Sequence, residues 1–120
     1  MRGASVTEYE LELHESPSPG VVLVETVGEL DLTNAADFEQ RLEEAATGGT
    51  TLVIDLTHVS FIDSAALHVL FRTVGRLGRA NFGIVLDQGA AIARTLEIVG
   101  LGDVVEIRPS SAELLEALAP

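Results

Sequence analysis

Two small polar residues, Asp63 and Ser64, interrupt an otherwise apolar stretch of the chain, residues 61–70. His68 follows Ser64 by four positions, so both side chains share one face if the stretch is helical. A carboxylate, a hydroxyl and an imidazole are the groups of a catalytic triad. A hydroxyl at a helix N-terminus is also a helix cap or a site for phosphorylation. Three interpretations therefore compete for this stretch.

The simplest interpretation is helix capping. Ser64 or Asp63 precedes a good helix-forming sequence, and a side-chain oxygen there accepts hydrogen bonds from N–H groups that have no partner within the helix. Replacing such a cap with alanine costs about 1 kcal/mol. Composition alone indicates no role for these two residues beyond capping.

The second interpretation makes Ser64 a phosphate acceptor. Free N–H groups and the helix dipole would stabilise a phosphoryl group on its hydroxyl. The group would add about −1.5 to −2 charge beside Asp63, and beside Asp31 if that residue lies on the neighbouring loop. A closely fitted partner surface would then be rejected. Capping and phosphorylation are compatible with each other.

The third interpretation is nucleophilic catalysis, and the spacing argues against it. A working triad needs the histidine between the serine and an orienting carboxylate. Asp63 is adjacent to Ser64 in the chain and is badly placed to hold the far nitrogen of His68. The sequence also lacks the G-x-S-x-G turn of the α/β-hydrolases.

The elements around this stretch follow from its hydrophobic periodicity. Alternation predicts an edge strand over 7–13, and apolar runs predict strands over 21–27, 51–56, 82–86 and 103–107. We expect a turn at residues 15–20, Thr33 or Asn34 as the first helix cap, and a capping box opening the last helix. The last helix is predicted over residues 110–118. The first three helices are each predicted from an apolar stripe at helical spacing. These stripes are, for the first helix, Ala35, Phe38, Leu42, Ala45 and Ala46; for the second, Leu67, Leu70, Phe71, Val74 and Leu77; and for the third, Ile92, Leu96 and Val99.

The element order β-β-α-β-α-β-α-β-α predicts a single α/β domain over residues 1–120. We expect a mixed, mostly parallel sheet of about five strands with helices packed on it, and an antiparallel first hairpin at its edge. Sites in such sheets lie beyond the carboxyl ends of strands. Two segments qualify and are predicted to be loops: "GELDLTN" at 28–34 and "THVSFIDSA" at 57–65.

Composition narrows the classes of function. The net charge of −12 opposes binding to nucleic acid or to an anionic membrane, and is compatible with a protein partner that has a basic face. The chain has no cysteine, no apparent signal peptide, no stretch long enough to cross a bilayer and no phosphate-binding loop. We expect a soluble, cytoplasmic protein without cofactor.

The histidines and the arginines around the second predicted helix are interpreted as structural residues rather than as ligands of a metal. His14, His58 and His68 are far apart in the chain and lack cysteine neighbours, so we expect surface or packed histidines rather than metal ligands. Arg72 and Arg76, together with Arg79, are expected to form the solvated side of one helix. They would also offset part of the acidic surface near a partner.

Three successive stretches carry a family resemblance. "GELDLTNAADF", "LVIDLTHVSFIDSAALHVLF" and "LEIVGL" resemble signatures of STAS domains, especially those of the anti-sigma-factor antagonists. The resemblance runs over about residues 21–118. The middle stretch is the most specific, because an apolar strand, Phe-Ile-Asp-Ser and a helix follow one another.

The resemblance implies a non-enzymatic switch. The unphosphorylated antagonist would bind an anti-sigma factor that is also a serine kinase of the histidine-kinase-like ATPase type, and so free the sigma factor. The kinase would then phosphorylate Ser64, and a phosphatase would reverse this. The resemblance, with the two predicted loops, implies a partner-binding surface formed by Asp31, Thr33, Asn34, Ser60, Ile62, Asp63, Ala65 and Ala66.

One departure from the family pattern keeps an alternative open. Family motifs often continue Asp-Ser-Ser-Gly-Leu or Asp-Ser-Thr-Gly-Leu, whereas Ala65 and Ala66 follow Ser64 here. Ala66 adds a methyl group in the first helical turn that would obstruct a closely approaching partner. The alternative is a STAS interaction module without a phosphorylation cycle, in a scaffold or transport-associated complex.

Overall fold

The computed structural model describes residues 8–16 and 18–119. Two short 3₁₀ turns, Arg79–Asn81 and Leu101–Asp103, join the larger elements. The strands and helices, in chain order, are β1 (Tyr9–Glu15), β2 (Val21–Leu30), α1 (Ala35–Ala45), β3 (Thr51–Ile62), α2 (Ser64–Leu77), β4 (Phe82–Val85), α3 (Ala93–Ile98), β5 (Glu106–Arg108) and α4 (Ser111–Leu118). The predicted α/β element order is confirmed.

The five strands form one sheet in the order β1-β2-β3-β4-β5. β1 pairs antiparallel with β2, as predicted for the edge, and every later pair is parallel. β3 is central, and its end meets the end of β2 where Leu30 pairs with Ile62. The segments that follow these two strands therefore emerge side by side.

Several predicted boundaries were wrong. β2 and β3 were expected to end at Val27 and Leu56, but they pair up to Leu30 and Ile62, with two irregularities of register on the way. Residues 57–62 are therefore strand rather than loop. The predicted last strand is also displaced, because Asp103 ends a 3₁₀ turn and β5 spans only Glu106–Arg108. Thr7, the predicted start of β1, lies outside the described residues.

The main core lies between one face of the sheet and helices α1 to α3. Phe38 of α1 and Leu70 of α2 are fully buried there, as their stripes predicted. Val99 is the exception: α3 ends at Ile98, and Val99 is exposed beyond it. Thr26 of β2 is also fully buried, and none of the described residues pairs with its hydroxyl.

Of the helices in the described residues, only α4 packs on the other face of the sheet, against β4 and β5. Its start is the predicted cap: the Ser110 hydroxyl oxygen accepts a hydrogen bond from the Glu113 N–H at 3.2 Å. Leu114 lies over Gly83, and a Cβ at Gly83 would come within 2.7 Å of the Leu114 Cδ1 atom. The missing side chain at Gly83 thus allows the helix to approach the sheet. No helix within the described parts of the chain has the length and apolar character that a membrane span requires.

Candidate functional site

Ser64 is the first residue of α2, and Asp63 is its N-cap. The Asp63 backbone is extended, with φ −108° and ψ −177°, and its Oδ1 atom accepts a hydrogen bond from the Ala66 N–H at 3.1 Å. Asp63 therefore performs the capping that the sequence allowed to either residue. The Ser64 side chain is exposed, and within the described chain no group pairs with its hydroxyl.

The second carboxylate oxygen of Asp63 joins two segments of the chain. Its Oδ2 atom accepts a hydrogen bond from the Leu32 N–H at 2.9 Å. The Asp63 N–H also donates to the Leu30 carbonyl at 3.0 Å. Asp63 thereby fixes the segment after β2 against the start of α2. Because both oxygens already accept backbone N–H groups, the carboxylate is not positioned to orient His68, and this geometry argues against the triad interpretation.

The segment between β2 and α1 is held by its own side chains. The Asp31 Oδ1 atom accepts from the Thr33 N–H at 2.9 Å and from the Thr33 hydroxyl at 2.6 Å. The Asn34 Oδ1 atom accepts from the Asp31 N–H at 3.0 Å, and the Asn34 amide donates to the Glu29 carbonyl at 2.9 Å. Asn34 occupies the N-cap position of α1, as predicted, but its side chain braces the preceding segment instead of capping the helix.

Burial separates the eight predicted partner-binding residues into two groups. Asn34, Ile62 and Ala66 are buried, with 3%, 6% and 0% of their surface exposed. The Ala66 methyl group therefore faces the core and presents no obstacle to a partner. The remaining five are exposed or half-buried around Ser64, and they are Asp31, Thr33, Ser60, Asp63 and Ala65.

Two apolar side chains that the sequence prediction omitted are exposed beside these residues. Leu32 is 78% exposed and Phe61 is 48% exposed. The N–H of Leu32 is the group held by Asp63, while Phe61 pairs with Glu29 in the last part of the β2–β3 ladder. The available signal was the polar residues next to them in the chain: Leu32 lies between Asp31 and Thr33, and Phe61 follows Ser60. We define the switch surface as the five residues just described, together with Leu32, Phe61 and Ser64.

The three arginines predicted to be solvated are exposed, and two of them also pair with carboxylates. Arg72 binds Glu39 of α1 through two hydrogen bonds of 2.8 and 2.9 Å, and this contact holds the pKa of Glu39 below its usual value. Arg79 lies beyond the end of α2, so the single-helix prediction was wrong for it. Its guanidinium binds Glu106 at 2.9 Å. Arg72 and Arg79 therefore connect elements of the fold.

Comparison with known proteins gives the family to which this fold belongs. The chain is 37% identical over 84 residues to the anti-sigma-F factor antagonist RsfB of Mycobacterium tuberculosis, with 68% of each chain covered. It is 34% identical over 89 residues to the anti-sigma-B factor antagonist of Listeria monocytogenes, covering 72% of this chain and 78% of that protein.

A solved structure agrees with the same assignment. The crystal structure of an anti-sigma factor antagonist from Mycobacterium paratuberculosis superposes with a TM-score of 0.81 at 29% identity, covering 92% of this chain and 94% of that one. Residues 13–114 match the STAS domain family itself. With its mixed five-stranded sheet and four helices, this chain belongs to the STAS domain family.

Proposed function

We propose that the chain is an anti-sigma-factor antagonist whose partner binding is switched off by phosphorylation of Ser64. The observation that carries the proposal is the exposed Ser64 hydroxyl at the first position of α2, which Asp63 leaves free by capping the helix itself. The antagonist names of the relatives in Mycobacterium tuberculosis and Listeria monocytogenes support the class of function. In this role the chain acts in the cytoplasm as a single domain, without catalysis of its own.

The switch surface has the composition of a docking site. Leu32, whose N–H is bound by Asp63, and Phe61, two residues before Asp63 in the chain, offer exposed apolar area. Thr33 and Ser60 add polar groups at its rim. Interfaces commonly combine an apolar centre with such a rim. The proposed partner is an anti-sigma factor that is also a serine kinase of the histidine-kinase-like ATPase type, and the net charge of −12 favours a basic docking face on it.

The proposed reaction is phosphoryl transfer within that complex. The Ser64 oxygen attacks the γ-phosphorus of ATP held by the kinase, the bond to ADP breaks, and the hydroxyl proton passes to a base of the kinase. A phosphatase reverses the modification by hydrolysis. This chain contributes an acceptor at a helix N-terminus, where backbone N–H groups and the helix dipole favour an anion.

Phosphorylation would end binding through charge. The phosphate adds about −1.5 to −2 charge next to Asp63. Since each Asp63 oxygen is held by a backbone N–H, at 2.9 and 3.1 Å, the carboxylate is fixed in place beside the new group. A partner fitted to the unmodified surface would then face two adjacent anions.

The test is phosphorylation of the purified chain by its cognate kinase with ATP, followed by intact-mass analysis. We expect one phosphate on the wild type and on Ser111→Ala, and none on Ser64→Ala. Ser111 is the matched control, because it is the first residue of another helix, α4, and lies outside the switch surface. A phosphate that persists on Ser64→Ala would refute the assignment. Pull-down of a scaffold or transport subunit, with no kinase-type partner, would instead favour the STAS interaction module that lacks a phosphorylation cycle.

A further inference from the structure

A cluster of metal-ligating side chains lies on the β1–β2 hairpin, away from the switch surface. Glu12 of β1 is directly opposite Glu25 of β2. His14 is two positions beyond Glu12, and side chains two apart in a strand share one face of the sheet. Since Tyr9 and Leu11 pack against the main core, this trio occupies the opposite face. Glu12 and His14 are exposed there, and Glu25 is half-buried.

The three donor atoms are close enough to share one ion. The His14 Nε2 atom lies 3.4 Å from the Glu25 Oε1 atom and 3.7 Å from the Glu12 Oε2 atom. One ligand atom from each residue lies within 4.8 Å of the other two. An ion bound at about 2.0–2.2 Å holds neighbouring ligand atoms roughly 3–3.5 Å apart. A small rotation of the glutamate side chains therefore reaches that spacing.

The surrounding charges favour a cation at this position. Like charges directly opposite each other on paired strands are destabilising, and Glu12 faces Glu25 in this way. Asp55 of β3 is the next partner of Glu25 in the same row, so three carboxylates cross three adjacent strands. In a chain of net charge −12, a divalent ion would relieve this repulsion.

We propose that Glu12, His14 and Glu25 bind one zinc ion, with water completing its coordination. The imidazole decides the class of metal, because nitrogen ligands suit zinc and its transition-metal neighbours, whereas magnesium and calcium prefer oxygen ligands alone. Sequence spacing gave no sign of this site, since Glu25 reaches it only through the register of the hairpin. The site joins the edge strand β1 to the rest of the sheet.

The test is calorimetric titration of the whole chain with zinc chloride, together with NMR of the histidine ring protons. We expect one site, with the His14 ring signals perturbed and an affinity at least about tenfold weaker in His14→Asn. The matched control is His58→Asn, which removes another exposed histidine of the same sheet and keeps the affinity. Excess magnesium should not displace the zinc.

A second variant separates loss of a ligand from loss of the fold. Glu25→Gln removes one donor and also one of the facing charges, so it should bind zinc more weakly while its metal-free urea midpoint stays equal to wild type or rises. Zinc should raise the midpoint of the wild type and not that of His14→Asn. No binding to the wild type, or equal binding by wild type and His14→Asn, would overturn the proposal.

Discussion

Removing the Asp63 carboxylate should have two effects. It should destabilise the domain, and it should release the segment between β2 and α1, which contains Leu32, from the start of α2. Asp63→Ala removes the cap on the Ala66 N–H, which is worth about 1 kcal/mol. It also removes the hydrogen bond to the Leu32 N–H; because that N–H can turn to water, we expect about 1 kcal/mol from it. The expected total is about 2 kcal/mol, which lowers the urea midpoint by about 1 M for a typical dependence on denaturant.

Two further variants divide this loss into its parts. Asn is as good an N-cap as Asp, but the neutral amide has a single acceptor oxygen, so Asp63→Asn should keep the cap and lose the bridge. We expect about half of the Asp63→Ala effect. Ser64→Ala removes a hydroxyl that is exposed and has no partner among the described residues, so it should change stability by less than about 0.5 kcal/mol.

Urea unfolding and amide hydrogen exchange together check this reasoning. Exchange at the Leu32 N–H should accelerate in Asp63→Ala and Asp63→Asn and stay unchanged in Ser64→Ala. If Asp63→Ala proves no more destabilising than Ser64→Ala, the proposed division of labour between capping residue and free hydroxyl is refuted.

Three other predictions concern the core and the titrating groups. Thr26→Val should raise the urea midpoint, because the buried unpaired hydroxyl costs about 1–3 kcal/mol, whereas Thr73→Val should not, since that hydroxyl donates to a helix carbonyl at 2.7 Å. Burial, followed by the hydrogen bond to Asp37, raises the pKa of Tyr9 to about 12. Tyrosinate absorbance of this single tyrosine should therefore appear near pH 12. The free energy of unfolding that the neutral Tyr9 side chain contributes should be lost as pH rises from 10 to 12. Asp37→Asn should lower the pH midpoint of the Tyr9 titration. An unchanged titration midpoint would contradict the role assigned to Asp37. Two arginines lower the pKa of Glu106 below 4.5, so Glu106→Gln should cost up to about 1 kcal/mol at neutral pH, and the difference should vanish as pH falls well below 4.5. A difference that persists in acid urea titrations would mean that packing, not charge, is responsible.

Periodicity predicted the elements well because buried stripes reflect packing directly. Phe38 and Leu70 are core residues in both the pattern and the structure. The ends of β2 and β3 were missed for a different reason. Main-chain pairing of β2 with β3 continues beyond the predicted strand ends, where Glu29 pairs with Phe61. The apolar pattern of the side chains does not show how far such main-chain pairing extends.

The sequence predicted that Asp63 and Ser64 precede a helix, but not which of the two caps it. Asp63 and Ser64 are both good cap residues, and only the extended backbone of Asp63 shows which one caps. Leu32 and Phe61 lie in the two predicted loops but were not named as binding residues, because apolar residues are usually buried. Their exposure depends on how the ends of two neighbouring strands meet, which is a tertiary property.

The strand order has a consequence for synthesis on the ribosome. Because the spatial sequence of the sheet repeats the chain sequence, each strand that leaves the exit tunnel finds its neighbour already made. No later strand is inserted between two earlier ones, and each new strand is added at the edge formed by the strand made just before it. The hydrogen bond from the Leu32 N–H to Asp63 forms only when the second half of the domain begins. A nascent chain that stops before Asp63 therefore lacks the contact that joins the segment between β2 and α1 to the start of α2.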